Sequence, residues 1–119
     1  MENFANQLVE LLYNKENGLL IKYHFNRGLD YHLLDKLYDF LETVKKEWAT
    51  KQDVPKDVMY QLIGVVPALY HDLSLYEGKQ EYYDYEEKIV ALDTAVAMCL
   101  NPNTNDVHFN KPLKDLGYL

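Results

Sequence analysis

Apolar residues recur along this chain at steps of three and four, the spacing at which side chains line one face of an α-helix. From Asn3 to Asn17 the pattern is carried by Phe4, Leu8 and Leu11, with Asn3 suited to the N-cap and Gly18 to the position just past the C-terminus. A second helix is predicted from Asp30 to about Thr50 on the stripe Leu34, Leu37, Leu41, Val44 and Trp48. Asp30 is its N-cap, and Leu29 and Leu34 are placed to close over it as a hydrophobic staple. A third begins at Pro55, whose fixed φ and missing N–H suit a first helical position, and runs to about Tyr76 on Met59, Leu62, Val66, Leu69 and Leu73. The fourth follows Gly78 and runs to Leu100 on Tyr82, Tyr85, Ile89, Leu92, Val96 and Cys99, stopping where Asn101-Pro102 cannot continue a helix.

The last three stripes alternate threes and fours without a break, the 3.5-residue period of helices crossing at about 20° in a left-handed bundle. The expected fold is all-α: an antiparallel bundle of four main helices over residues 1–100, with an irregular C-terminal tail, 101–119, packed on it, all in one domain. Its expected core includes Leu37, Leu41, Val44, Leu62, Val66, Leu69, Ile89, Leu92 and Val96. Between the first two helices, Ile21, Tyr23 and Phe25 alternate with Lys22 and His24 in a strand-like period of two. A lone strand has no ladder partner, so this segment is read as a short extended or helical connection. The tail carries Val107, Phe109, Leu113, Leu116 and Tyr118, enough apolar surface to dock.

Composition narrows the functional classes. A chain of 119 residues that is 48% hydrophobic forms one compact domain. It contains no apolar run near the ~20 residues that span a bilayer, and its N-terminus lacks the features of a signal peptide, so a soluble, cytoplasmic protein is expected. Cys99 is the single cysteine, which leaves neither an internal disulfide nor a cysteine-based zinc site. Twelve Lys+Arg against nineteen Asp+Glu give a net charge of −7, the wrong sign for binding nucleic acid or an anionic membrane but suited to attracting a basic protein.

Candidate catalytic sets are thin. None of His24, His32, His71 and His108 has an acidic residue three positions before it, as a di-iron bundle requires. The doublet His71-Asp72 resembles the central His-Asp pair of the HD phosphohydrolases, and the resemblance would make His32 and Asp93 its further metal ligands. Asp39-x-x-Glu42 and Glu81-x-x-Asp84 have the spacing of the magnesium-binding pairs of all-α nucleotide pyrophosphohydrolases, without a companion acidic pair or a phosphate-gripping cluster of Lys and Arg. Neither a nucleophile elbow nor a P-loop is present. No catalytic residue, metal ligand or cofactor is assigned.

Tyrosine is the unusual feature: eleven in all, several interleaved with acid between Tyr76 and Glu87 and relieved there by Lys79. With Tyr82 and Tyr85 turned inward, Tyr83 and Glu87 share an outer face, Glu86 and Val90 beside them. The candidate partner-binding set is Tyr76, Glu77, Glu81, Tyr83, Asp84, Glu86 and Glu87, because tyrosine offers a large rigid contact area and carboxylates offer attraction to a cationic surface. A second feature is Gly64-Val65-Val66-Pro67, where Pro67 removes a helical hydrogen bond and is expected to bend the third helix; such a bend either opens a concave face or, as is more common, only accommodates packing.

The run Leu62-Ile63-Gly64-Val65-Val66-Pro67-Ala68-Leu69-Tyr70-His71-Asp72, followed by an acidic turn and a final amphipathic helix, resembles the small helical immunity proteins that protect bacteria from their own type VI or contact-dependent toxins. The resemblance covers about half the chain and rests on size, acidity and apolar pattern. It implies a non-enzymatic inhibitor that occludes a basic toxin or enzyme domain. A phage-type inhibitor or a self-associating subunit would use the same surfaces, and the sequence expresses no preference of oligomeric state.

Overall fold

A computed structural model gives the structure and describes residues 3–101. The chain is all-α there, with no strand among the described residues. Five α-helices follow in order: α1 (Phe4–Tyr13), α2 (Leu19–His24), α3 (Tyr31–Trp48), α4 (Lys56–Asp72) and α5 (Tyr82–Leu100), with a 3-10 turn at Leu73–Tyr76 before α5. The tail expected to pack on the helices lies, beyond Asn101, outside the described residues.

The termini follow from local chemistry. The Asn3 side chain accepts from the Asn6 amide at 3.0 Å and starts α1, which ends at Tyr13 rather than at Asn17. The stop is made by Asn14, whose side-chain oxygen accepts from the amides of Glu16 and Asn17 at 3.1 and 2.9 Å and so draws the backbone out of the helix. Gly18 follows because a Cβ there would stand 2.6 Å from the Asn14 nitrogen and 2.6 Å from the Leu12 carbonyl oxygen. The Asp30 cap forms as expected: Oδ1 accepts from the Leu33 amide at 3.1 Å while Oδ2 receives Lys22 Nζ at 2.6 Å. Burial raises the carboxyl's pKa, but the hydrogen bonds from Lys22 and the Leu33 amide, with the lysine charge, outweigh it and hold Asp30 below the ordinary carboxylate value.

The nine residues expected in the core are all buried. The segment 19–25 is resolved in favour of helix. Leu19, Leu20 and Tyr23 are buried while Phe25 is exposed, so the inward positions follow a helical turn rather than a period of two. The third helix closes earlier than expected, at Asp72, and tightens into the 3-10 turn, whereas the last one begins four residues after Gly78. Pro67 sits on the exposed side of an uninterrupted α4. In the packing, α5 lies against α3 and α4, and α1 contacts α2, α3 and α4.

Two lysines are buried. Lys45 Nζ donates to the Asn101 carbonyl at 2.8 Å, satisfying an acceptor at the end of α5 where the helix dipole is negative. Cys99 is buried beside it with Sγ 3.6 Å from the Leu41 carbonyl oxygen, and burial pushes the thiol up to about 11, against the opposing charge of Lys45. The second buried lysine, Lys88, lies on α5 beside Asp84 and Glu87.

Candidate functional site

The expected binding residues gather around the start of α5, with one exception. Tyr76 is an interior residue, 1% exposed, and is corrected from surface to core. Its ring stacks on Tyr23 at 4.8 Å, and its hydroxyl donates to the Tyr23 carbonyl at 2.7 Å while accepting from the Gly28 amide at 3.1 Å. An apolar sequence context did not reveal this, because tyrosine at a helix end reads equally as surface or core. Tyr23, Tyr76 and Tyr85 form one cluster, with Tyr85 edge-on to both at 6.0 and 5.1 Å. Burial, followed by the neighbouring Tyr76 and Tyr85, raises the Tyr23 pKa; burial raises that of Tyr76 as well. Gly28 completes the cluster: its φ of +91° needs glycine, and a Cβ there would meet the Tyr85 hydroxyl at 3.0 Å.

The other expected residues are at or near the surface. Glu77, Asp84, Glu86 and Glu87 are exposed and Glu81 is half-buried just before α5. Tyr83 is 77% exposed, its ring edge-on to Tyr82 at 5.3 Å. Tyr82 and Tyr85 do pack against the core, as their positions in the stripe require. Desolvation, then the charges of Glu86 and Glu77, raise the Tyr82 pKa. Asp84 sits in the first turn, where the helix dipole favours acid.

Sequence reasoning overlooked a local counter-charge. Lys88 Nζ lies 3.7 Å from Asp84 Oδ1 and 3.8 Å from Glu87 Oε1, and stands 6.0 Å from the Tyr31 ring centroid. The i,i+4 spacing of Asp84 and Lys88 is the sequence signal that identifies it. Lys79 reaches away from the acidic face, to Asn26 Oδ1 at 2.6 Å and over the Tyr76 ring.

The His-Asp doublet is not assembled as a metal centre. Asp72 faces α2, where its Oδ2 pairs with His24 Nδ1 at 2.9 Å; His71, His32 and Asp93 are exposed on other elements or faces. Among the described residues no group of three His, Cys, Asp or Glu side chains is placed to hold a metal ion, which also applies to the pairs Asp39/Glu42 and Glu81/Asp84.

A second surface lies between α4 and α5. Ile63, Val66, Pro67 and Tyr70 line a concavity of about 370 Å³ together with Asp93 and Ala97. The concavity beside Pro67 is thus a groove between α4 and α5. Among the described residues no helix is long and apolar enough to cross a membrane. No family model, curated protein or solved structure matches the chain.

Proposed function

We propose that the chain is a non-catalytic protein-binding module of the immunity or antitoxin kind. In this reading an antiparallel arrangement of its four longer helices presents the start of α5 to a basic toxin or enzyme domain in the cytoplasm. The observation that carries it is a tyrosine, Tyr83, left 77% exposed within a set of exposed carboxylates, Asp84, Glu86 and Glu87. Leaving a large aromatic in water forgoes its burial energy unless a partner covers it. The carboxylates add long-range attraction, which mostly governs encounter, whereas the tyrosine adds buried area, which mostly governs retention. The resemblance of the α4–α5 pattern to small immunity proteins points the same way, as does the net charge of −7.

The test is recovery of a partner from the native host by affinity capture, followed by kinetics on that partner. Asp84→Asn, Glu86→Gln and Glu87→Gln combined should slow association and flatten its salt dependence, the screening length being about 8 Å at physiological salt. Tyr83→Ala should mainly speed dissociation, by about 2 kcal/mol if it is a hot spot. A partner bound with unchanged kinetics by both variants, or no stoichiometric partner at all, refutes the proposal.

A further inference from the structure

Helix α4 is apolar on two sides. Its inward side buries Val58, Leu62, Val65, Val66 and Leu69. On its outward side Tyr60, Ile63, Pro67 and Tyr70 follow at steps of three, four and three, a second regular stripe facing solvent. Tyr60 is 76% exposed, Ile63 61% and Tyr70 43%. A surface helix carries one apolar stripe, and a helix apolar on both sides is normally covered on both. Here the described residues leave the second side uncovered, with Gly64 beside it so open that a Cβ would meet nothing within 4 Å.

The neighbouring helix supplies the other wall. On α5, Tyr83, Glu86, Val90, Asp93 and Ala97 are exposed at the same alternating steps, and Asp93 and Ala97 reach the groove itself. One wall is thus aromatic and aliphatic, while the other carries Asp93, and Glu86 stands seven residues before it on the same face of α5, about 10.5 Å along the axis and beyond the residues that line the groove. Parallel stripes of this period are what a third helix packs between.

Charge selects the occupant. A second copy would bring its own Glu86 and Asp93 against this acidic wall at a net charge of −7 per chain. We infer that the α4–α5 groove receives a cationic amphipathic helix of a protein partner, with apolar residues at three- and four-residue steps on Ile63, Pro67 and Tyr70 and two Lys or Arg seven residues apart on Glu86 and Asp93. This rests on the reading of the chain as a binder of a basic partner and names the groove and the partner's element.

The probe is an 18-residue designed helix of leucine and alanine with two lysines seven residues apart on one flank, titrated by fluorescence anisotropy. Its controls are the same peptide with glutamate for lysine, and a scrambled peptide without an apolar face. Saturable binding of the first peptide alone is expected, weakened at least about tenfold by Ile63→Glu and by Tyr70→Ser. Glu86→Gln with Asp93→Asn should weaken it several-fold and flatten its salt dependence, by more than Asp84→Asn with Glu87→Gln, which removes the same charge from the neighbouring face. Circular dichroism checks that each variant is folded, and either groove variant alone suffices for the test. No saturable binding, equal binding of the scrambled or acidic peptide, or indifference to both Ile63→Glu and Tyr70→Ser overturns the inference. A wild-type dimer by light scattering that Ile63→Glu dissociates also overturns it, by naming a second copy as occupant. Dependence on Asp84 and Glu87 but not on Ile63 or Tyr70 would remove the groove and leave the acidic-face reading standing.

Discussion

Two tyrosines whose rings stack at 4.8 Å should respond in opposite directions to the loss of one oxygen atom. The Tyr76 hydroxyl is used twice, as donor to the Tyr23 carbonyl at 2.7 Å and as acceptor from the Gly28 amide at 3.1 Å. In Tyr76→Phe the Tyr23 carbonyl keeps the Asn26 amide at 3.2 Å, but the Gly28 amide loses its acceptor in a half-buried loop. An amide left unpaired there costs about 1–2 kcal/mol. The Tyr23 hydroxyl is fully buried and has no hydrogen-bond partner among the described residues. Its removal in Tyr23→Phe relieves a desolvation penalty and should stabilise the fold by about 1 kcal/mol. The separation between the two variants is then about 2–3 kcal/mol, or about 10 °C in Tm for a domain of this size. Trp48, the single tryptophan and a buried one, provides the fluorescence signal for urea unfolding of both. The m-value should not change, because neither substitution alters the surface exposed on unfolding. Equal shifts, or a Tyr23→Phe variant less stable than Tyr76→Phe, would show that the hydrogen-bond assignment is wrong.

The capping carboxylate gives a pH-dependent prediction. Asp30→Ala removes both the α3 cap and the Lys22 pair and should cost about 1–2 kcal/mol, while Asp30→Asn keeps a capping oxygen and should cost less, both read from urea midpoints. Because the folded pKa of Asp30 lies below its ordinary value, its contribution is present above that value and is lost as pH falls through the folded pKa. The difference between wild type and Asp30→Asn should accordingly shrink below about pH 4; a constant difference down to pH 2 would contradict it. Two glycines should also separate. Gly18→Ala forces a Cβ against the Asn14 and Leu12 backbone and should destabilise by about 2 kcal/mol or more, whereas Gly64→Ala, in open space within α4, should stabilise by about 0.5–1 kcal/mol. Thermal melts followed at 222 nm distinguish the two, and a shared sign would refute the placement of either residue.

The long helices were legible because their apolar positions hold one period over many turns. Leu34, Leu37, Leu41, Val44 and Trp48 are all buried as spaced, and Asp30 caps the helix they line. Six residues, the length of α2, are too few for a period of two to be told from a helical turn. The end of the first helix depended on the competition between Asn14 and the backbone, which no periodicity encodes. At the site, the exposed carboxylates and Tyr83 followed from spacing along α5. The inward turn of Tyr76 did not, because its partners Tyr23 and Gly28 are 53 and 48 residues away. The outer stripe of α4 was present in the sequence as Tyr60, Ile63, Pro67 and Tyr70, but the inner stripe on the same helix, being longer and more aliphatic, carried the reading.

Four of the contacts that fasten α2 and the loop after it share a topological property. Tyr23 with Tyr76, Gly28 with Tyr76, Asn26 with Lys79 and His24 with Asp72 each join positions 48 or 53 residues apart. Whichever forms first closes a loop of that length, at an entropic cost that rises only with the logarithm of length; the others then add without closing another long loop. The four links therefore gain and lose their stability together, as one cooperative unit spanning chain segments that flank all of α3. Hydrogen exchange at the Gly28 amide, which depends on the Tyr76 hydroxyl, thus reports the opening of the whole α2 edge, and it should keep pace with the amides of α2 instead of with its neighbours in the loop.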